Sequence, residues 1–154
     1  MVADIFTAIG RHARRRPETL AIHTPDETIT YARYESAIGA IADNVRAWDM
    51  RPGSCTGIAA YTSLDYVMLL MGLMRAGAVA CPMNPRWPMR GILDALRPMN
   101  AERLFLPARI EGLGIRTFAL AETRSLAASA SSGKARKSVS SHGEKASQVN
   151  PCLC

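Results

Sequence analysis

Long apolar runs are missing from this sequence. Nowhere do roughly 18 uninterrupted apolar residues occur, so no segment reads as a membrane span. The opening "MVADIFTAIGRHARRRPE" has no sustained apolar core ahead of its charges, which argues against a secretory leader and places the expected site of action in the cytoplasm. Cysteine is sparse. The four thiols, Cys55, Cys81, Cys152 and Cys154, form no disulfide framework, and neither they nor the histidines follow a zinc-binding spacing. Aromatic residues make up only 6% of the chain and do not interleave with its cations, so no stacking platform for a specific nucleic acid is expected. The phosphate-loop pattern of Gly, four residues and Gly-Lys-Ser/Thr is absent. So are Gly-x-Gly-x-x-Gly and the Gly-x-Ser-x-Gly nucleophile elbow. His12, His23 and His142 are scattered and read as surface or structural groups. Asp65 and Asp94 read as helix caps or solvated acids, and no acid–base constellation can be assembled.

What remains is a hydrophobic fraction of 48% in 154 residues, enough for one real core. With few aromatics, the filling falls to Ala, Leu, Ile and the eight Met residues. Lys and Arg outnumber Asp and Glu by 19 to 13, a net charge of +6 that favours anionic ligands without choosing among them.

The pattern along the chain alternates. Asp4 stands where it can cap a short helix with Ile5, Phe6, Ile9 and Ala13 on one side, ended by Pro17. Leu20-Ala21-Ile22 and Thr28-Ile29-Thr30 flank the turn Thr24-Pro25-Asp26-Glu27 as a small hairpin. Thr30 caps a helix whose Tyr34, Ile38, Ile41, Val45 and Trp48 share one face, and Arg51-Pro52-Gly53 ends it. Gly57-Ile58-Ala59-Ala60 reads as a strand. Ser63 caps a largely buried helix that closes at Gly77. Val79-Ala80-Cys81 is a strand so short that an internal place in a sheet is expected. Pro88 opens a helix facing inward through Met89, Ile92, Leu93 and Leu96, and Pro98 closes it. Arg103-Leu104-Phe105-Leu106 and, more weakly, Ile115-Arg116-Thr117-Phe118 complete the strands. Strand, helix, strand, helix, strand from 56 to 106 predicts an α/β fold with a parallel sheet. Its ligand edge, beyond the carboxyl ends of the strands, would include Tyr61-Thr62-Ser63 and the 82–86 loop.

Composition shifts after Leu120. Residues 125–150 are rich in Ser, Ala and cations and contain no aromatic residue. The chain therefore divides into an α/β body at 1–120 and a Ser/Ala/Lys-rich, poorly ordered tail at 121–154. Inside that tail, Ser129, Ser131, Ser132, Gly133, Lys134 and Arg136 combine hydroxyl donors, a flexible glycine and countercharge, the residue types that hold phosphate oxygens.

Ordered passages add a resemblance. Arg16-Pro17-Glu18-Thr19-Leu20-Ala21-Ile22, Thr28-Ile29-Thr30-Tyr31-Ala32-Arg33-Tyr34 and Arg51-Pro52-Gly53 are similar to the opening of the adenylate-forming superfamily. The long passage from Leu73-Met74-Arg75-Ala76-Gly77-Ala78-Val79 to Pro82-Met83-Asn84-Pro85-Arg86 is the most specific match. The chain thus resembles the N-terminal portion of AMP-forming acyl-CoA synthetases of the O-succinylbenzoate-CoA ligase type, truncated. The resemblance implies a partial N-terminal α/β domain, three-layer-like, with short parallel strands, covering helices and a small hairpin. It implies ATP and Mg as cofactors, CoA as co-substrate and a small-molecule carboxylate as substrate in the full-length family. Ser131-Ser132-Gly133-Lys134 resembles the family's phosphate loop, with Ala130 where Gly is usual, Ala135 where Pro is usual and Arg136 where Lys is usual. Ala cannot relieve a left-handed backbone position as Gly does, and Arg keeps the charge but not the Lys geometry. Residues 144–154 resemble no family segment, as in a frameshifted or truncated gene product.

Two functions follow. One is an ATP-dependent acid–thiol ligase homologue whose fragment is inactive alone. The other is a non-catalytic remnant or assembly module, self-associating or binding a complementing chain through an unfinished sheet.

Overall fold

The structure is a computed structural model and describes residues 4–48 and 50–128. Helix α1 (Ile5–Arg15) leads into a hairpin of β1 (Leu20–His23) and β2 (Thr28–Thr30), followed by α2 (Tyr31–Ala47). Then come β3 (Cys55–Ile58), α3 (Leu64–Arg75), β4 (Val79–Pro82), α4 (Met89–Leu96), a 3-10 turn at Arg97–Met99, β5 (Arg103–Leu106), β6 (Arg116–Ala119) and α5 (Glu122–Ala128). The strands from β3 onward form one parallel sheet in the order β4-β3-β5-β6, beside the separate antiparallel β1-β2 pair.

Local chemistry accounts for the boundaries. Thr24 closes the hairpin turn: its hydroxyl donates to Glu27 O at 2.9 Å and accepts the Glu27 N–H at 3.0 Å. Thr30 accepts the Arg33 N–H and Ser63 the Tyr66 N–H, so both expected N-caps are made. Asp4 sits at the N-cap of α1 but makes no side-chain cap bond, and Ile5, expected on the inner side of that helix, is 51% exposed. At the end of α3, Gly77 takes φ +86°. Its N–H donates to Met74 O and the Ala78 N–H to Leu73 O, both at 3.0 Å, so the last turn closes in a Schellman motif.

Two strands depart from the expected pattern. β3 begins at Cys55 and ends at Ile58, two residues earlier than the apolar run suggests; the Ala59 N–H still donates to Phe105 O at 2.9 Å as the last rung of the β3–β5 ladder, and Ala60 lies beyond it. β4 is not internal. It ends the sheet among the described residues and pairs only with β3. An edge position is consistent with Pro82, which has no N–H to give a second neighbour, and Cys81 anchors the strand from inside the core.

Alternating side chains send the sheet into two cores. One face places Ile58, Phe105 and the half-buried Phe118 against Ile38, Ile41 and Val45 of α2 and Leu69 and Leu73 of α3. The opposite face sets Ala59, Cys81, Leu104 and Leu106 against Ile92 and Leu96 of α4. The result is a helix–sheet–helix sandwich of the kind expected. Trp48 lies almost parallel to Phe118, at 4.9 Å and 11°, and Phe118 in turn stacks on Phe105 at 5.0 Å. Arg103, 5% exposed, donates to Trp48 O at 2.8 Å, which places a cation on the last turn of α2. Arg103→Met removes this charged donor and leaves the carbonyl short of a partner. It is expected to lower stability by about 1.5–3 kcal/mol, read as a fall in urea midpoint at unchanged m-value.

α5 begins inside the stretch that composition separates from the body at residue 120. It packs on α2 and α3. Glu122 Oε1 accepts the Ala119 N–H at 2.9 Å, Thr123 is fully buried, and Asn44 of α2 donates to Leu126 O at 3.0 Å.

Candidate functional site

Parallel pairing puts the carboxyl ends of all four sheet strands along one edge. The loops that leave this edge include the two singled out from sequence. After β3 the chain runs through Tyr61-Thr62-Ser63 into α3, and after β4 it runs through Met83-Asn84-Pro85-Arg86 into α4. Asn84 shapes the second loop: its Oδ1 accepts the Arg86 N–H at 2.9 Å and its carbonyl the Trp87 N–H at 3.1 Å. Each loop exposes an aromatic side chain, Tyr61 at 61% and Trp87 at 50%. Exposed aromatic side chains on adjacent loops suit a flat ligand or an apolar partner surface.

A groove of about 680 Å³ lies elsewhere, beside the N-terminal halves of α2 and α3. Its apolar wall comes from Ile29, Ala32, Ala37, Leu64 and Met68, with Ala127 and Ala128 of α5 opposite. Polar character comes from Thr28, Arg33 and Ser36. Arg124 ties the rim together. Its Nε reaches Asp65 Oδ1 at 2.9 Å and its Nη2 reaches Glu27 Oε1 at 2.7 Å, so the hairpin, α3 and α5 meet at one guanidinium. The hydrogen bond and charge of Asp65, followed by the charge of Glu27, push the Arg124 pKa above its ordinary value. Arg33, exposed and in no ion pair among the described residues, is a cation available to an anionic ligand in this groove.

Among the described residues, no three His, Cys, Asp or Glu side chains gather to hold a metal. The buried thiol of Cys81 is pushed up by desolvation first and by neighbouring Cys55 second, the reverse of what a nucleophile needs. His12 stacks on Tyr31 at 4.9 Å, a packing role. Asp94 pairs with Arg97 at 3.1 Å on the surface.

The proposed phosphate-holding residues Ser129, Ser131, Ser132, Gly133, Lys134 and Arg136 lie outside the described residues. In sequence they begin directly after Ala128, which lines the groove. The Glu27–Arg124–Asp65 bridge was not legible in the sequence. Arg124 is separated from its partners by 97 and 59 positions, and only the placement of Asp65 in the first turn of α3 hinted at a role. No helix among the described residues is long and apolar enough to cross a membrane.

Known proteins share both sequence and fold with this chain. Phosphinothricin tripeptide synthetase PhsC of Streptomyces viridochromogenes is 30% identical over 100 residues, 65% of this chain but 9% of that protein. AMB antimetabolite synthetase AmbB of Pseudomonas aeruginosa is 32% identical over 76 residues, 49% of this chain and 6% of the relative. The N-terminal subdomain of Klebsiella oxytoca NpsA, in complex with 3-hydroxybenzoyl-AMSN, superposes with a TM-score of 0.67 at 22% identity, covering 80% of this chain and 31% of that one. o-Succinylbenzoate CoA synthetase (MenE) of Bacillus subtilis, in complex with the acyl-adenylate intermediate OSB-AMP, gives a TM-score of 0.67 at 20% identity over 76% of this chain and 32% of the other. The chain therefore has the fold of the N-terminal part of adenylate-forming enzymes and spans a small fraction of its relatives' length. The family model described as AMP-binding enzyme matches residues 9–151, through both the body and the Ser131-Ser132-Gly133-Lys134 stretch, and the chain belongs to that family.

Proposed function

We propose that this chain is the N-terminal layer of an enzyme that activates a carboxylate with ATP. The carboxylate oxygen attacks the α-phosphorus, the bond to the β-phosphate oxygen breaks, and acyl-AMP and pyrophosphate result. The family match over residues 9–151 carries the reading, because it joins the α/β body to the one segment with phosphate-binding composition. In this reading Ser129, Ser131, Ser132 and Gly133 donate to phosphate oxygens, and Lys134 and Arg136 offset their charge. Mg²⁺ in such a reaction is held by the substrate phosphates and one or two carboxylates. The likeness to MenE supports CoA as the thiol that next takes the acyl group and releases AMP. The sequence relatives, which are peptide synthetases, support a different acceptor at that second step.

Two measurements test the proposal. The chain alone is expected to catalyse no carboxylate-dependent ATP–pyrophosphate exchange above background, and turnover at family-like rates would sink that expectation. Grafted in place of the matching segment of an active family member, it is expected to support exchange weakly. Restoring the loop with Ala130→Gly, Ala135→Pro and Arg136→Lys should raise the rate by about 10²–10³, the scale of regained transition-state contacts. A folded chimera that stays inactive after all three changes would refute the phosphate-holding role.

A further inference from the structure

The core beneath α4 is rich in sulfur. Cys55, Cys81, Met83 and Met89 all pack in it, and Met99 reaches it from the 3-10 turn. Register explains the arrangement of the two thiols. Cys55 pairs with Val79 and Gly57 with Cys81 along neighbouring parallel strands, so Cys55 and Cys81 emerge on the same face of the sheet. Cys55 neighbours the Cys81 thiol and, second to desolvation, pushes its pKa up. Cys81 Sγ also lies 3.8 Å from Met99 Sδ, and equally 3.8 Å from Val79 O. Both cysteines are free, Cys81 is buried and Cys55 half-buried, while Met99 is 39% exposed and gives the group a way out to solvent.

We infer that Cys55, Cys81 and Met99 form a binding site for a soft monovalent cation, Cu(I) in particular. Two sulfurs bonded to one ion at about 2.3 Å stand roughly 3.8–4.0 Å apart at tetrahedral or trigonal angles. The Cys81–Met99 separation already has that value. Two thiols and a thioether are the donor set that selects Cu(I). A structural zinc site takes four N, O or S ligands, and among the described residues no third His, Cys, Asp or Glu joins this pair. Binding is a ligand exchange without redox change. Two S–H bonds break, two S–Cu bonds form, two protons go to solvent, and the thioether adds a lone pair. The two thiols lie on the face of the sheet opposite α2 and α3, so the inference does not depend on the carboxylate-activating role.

The test uses the full chain carrying Cys152→Ser and Cys154→Ser, so that only these two thiols remain. Cu(I) is titrated anaerobically against a chromogenic Cu(I) chelator. One ion per chain is expected. Affinity should fall about 100-fold in Cys55→Ser or Cys81→Ser and about 10-fold in Met99→Leu, the range by which ligand-shell changes act. If a serine variant fails to fold, the exposed Met99→Leu and X-ray absorption still decide, since three sulfur neighbours and no nitrogen or oxygen shell are expected. No Cu(I) bound by the two-thiol chain, affinity unchanged in all three variants, or a Cys55–Cys81 disulfide forming in place of a metal complex would each overturn the inference.

Discussion

Phe105→Ala is expected to destabilise the fold by about 3–5 kcal/mol, the range for emptying a fully buried aromatic site. Phe105 is 0% exposed and sits in β5, flanked by β3 and β6. Its ring packs in the core with α2 and α3 and stacks on Phe118 at 5.0 Å and on Trp48 at 6.3 Å. Removing it leaves a cavity that strands pinned on both sides cannot close. Whole-domain stabilities run at about 5–15 kcal/mol, so one substitution takes a large share. Urea unfolding followed by tryptophan fluorescence checks the value, with Trp48 as the internal reporter. Phe118→Ala, at the half-buried end of the same stack, should cost clearly less. Equal losses would mean that the stack, and not the burial of Phe105, sets the energy.

Gly72→Ala is the second large effect, and a single methyl group causes it. A β-carbon at Gly72 would come within 2.6 Å of Ile41 Cβ, and Ile41 is itself 0% exposed. The crossing of α2 and α3 is therefore closed to any side chain at this position. Alanine there must push the helices apart, at a cost of about 1–3 kcal/mol or somewhat more, even though Ala is the better helix former. Gly57 is a useful contrast. A β-carbon there meets Leu96 Cδ1 at 2.7 Å and Leu104 Cδ1 at 2.9 Å, the mobile tips of side chains, so Gly57→Ala should be milder. The double variant Gly72→Ala/Ile41→Ala checks the cause. If the methyl–Ile41 clash is responsible, the two changes together cost less than the sum of the singles.

Much of this fold was legible where one chemical rule governs a residue. The α2 face from Tyr34 to Val45 is buried as its spacing predicts, and Thr30, Ser63 and Gly77 mark helix ends through their own hydrogen bonds or backbone angle. Reading failed where neighbours decide. Ala59 and Ala60 are as apolar as a strand needs, yet pairing with β5 gives its last rung at the Ala59 N–H and stops there, which only the partner strand decides. β4 holds an edge through one partner strand and one buried thiol, which no window of four residues can show. α5 looks like tail because Ser and Ala carry little hydrophobic signal, and its place comes from Thr123 and from Asn44, far away in α2. The candidate groove was invisible for the same reason. Its walls come from the hairpin, α2, α3 and α5, and its rim is closed by Arg124 reaching back to Glu27. The phosphate-holding stretch was the opposite case, readable as composition and family pattern while its residues lie outside those described.

That reach of α5 bears on how the chain is made. The helix whose flank it covers, α2, ends at Ala47, and α5 is not complete until Ala128, roughly 80 residues later. At synthesis rates of about 5–20 residues per second, that flank waits on the order of several seconds for its cover. The contacts of α5 with α2 are also among the longest-range in the fold, and such contacts slow folding. The α2–α3 pair, joined over a short span, can form first and present an open apolar strip meanwhile. The nascent chain is therefore most prone to capture by a chaperone, or by a second nascent copy, in the interval before Glu122 emerges.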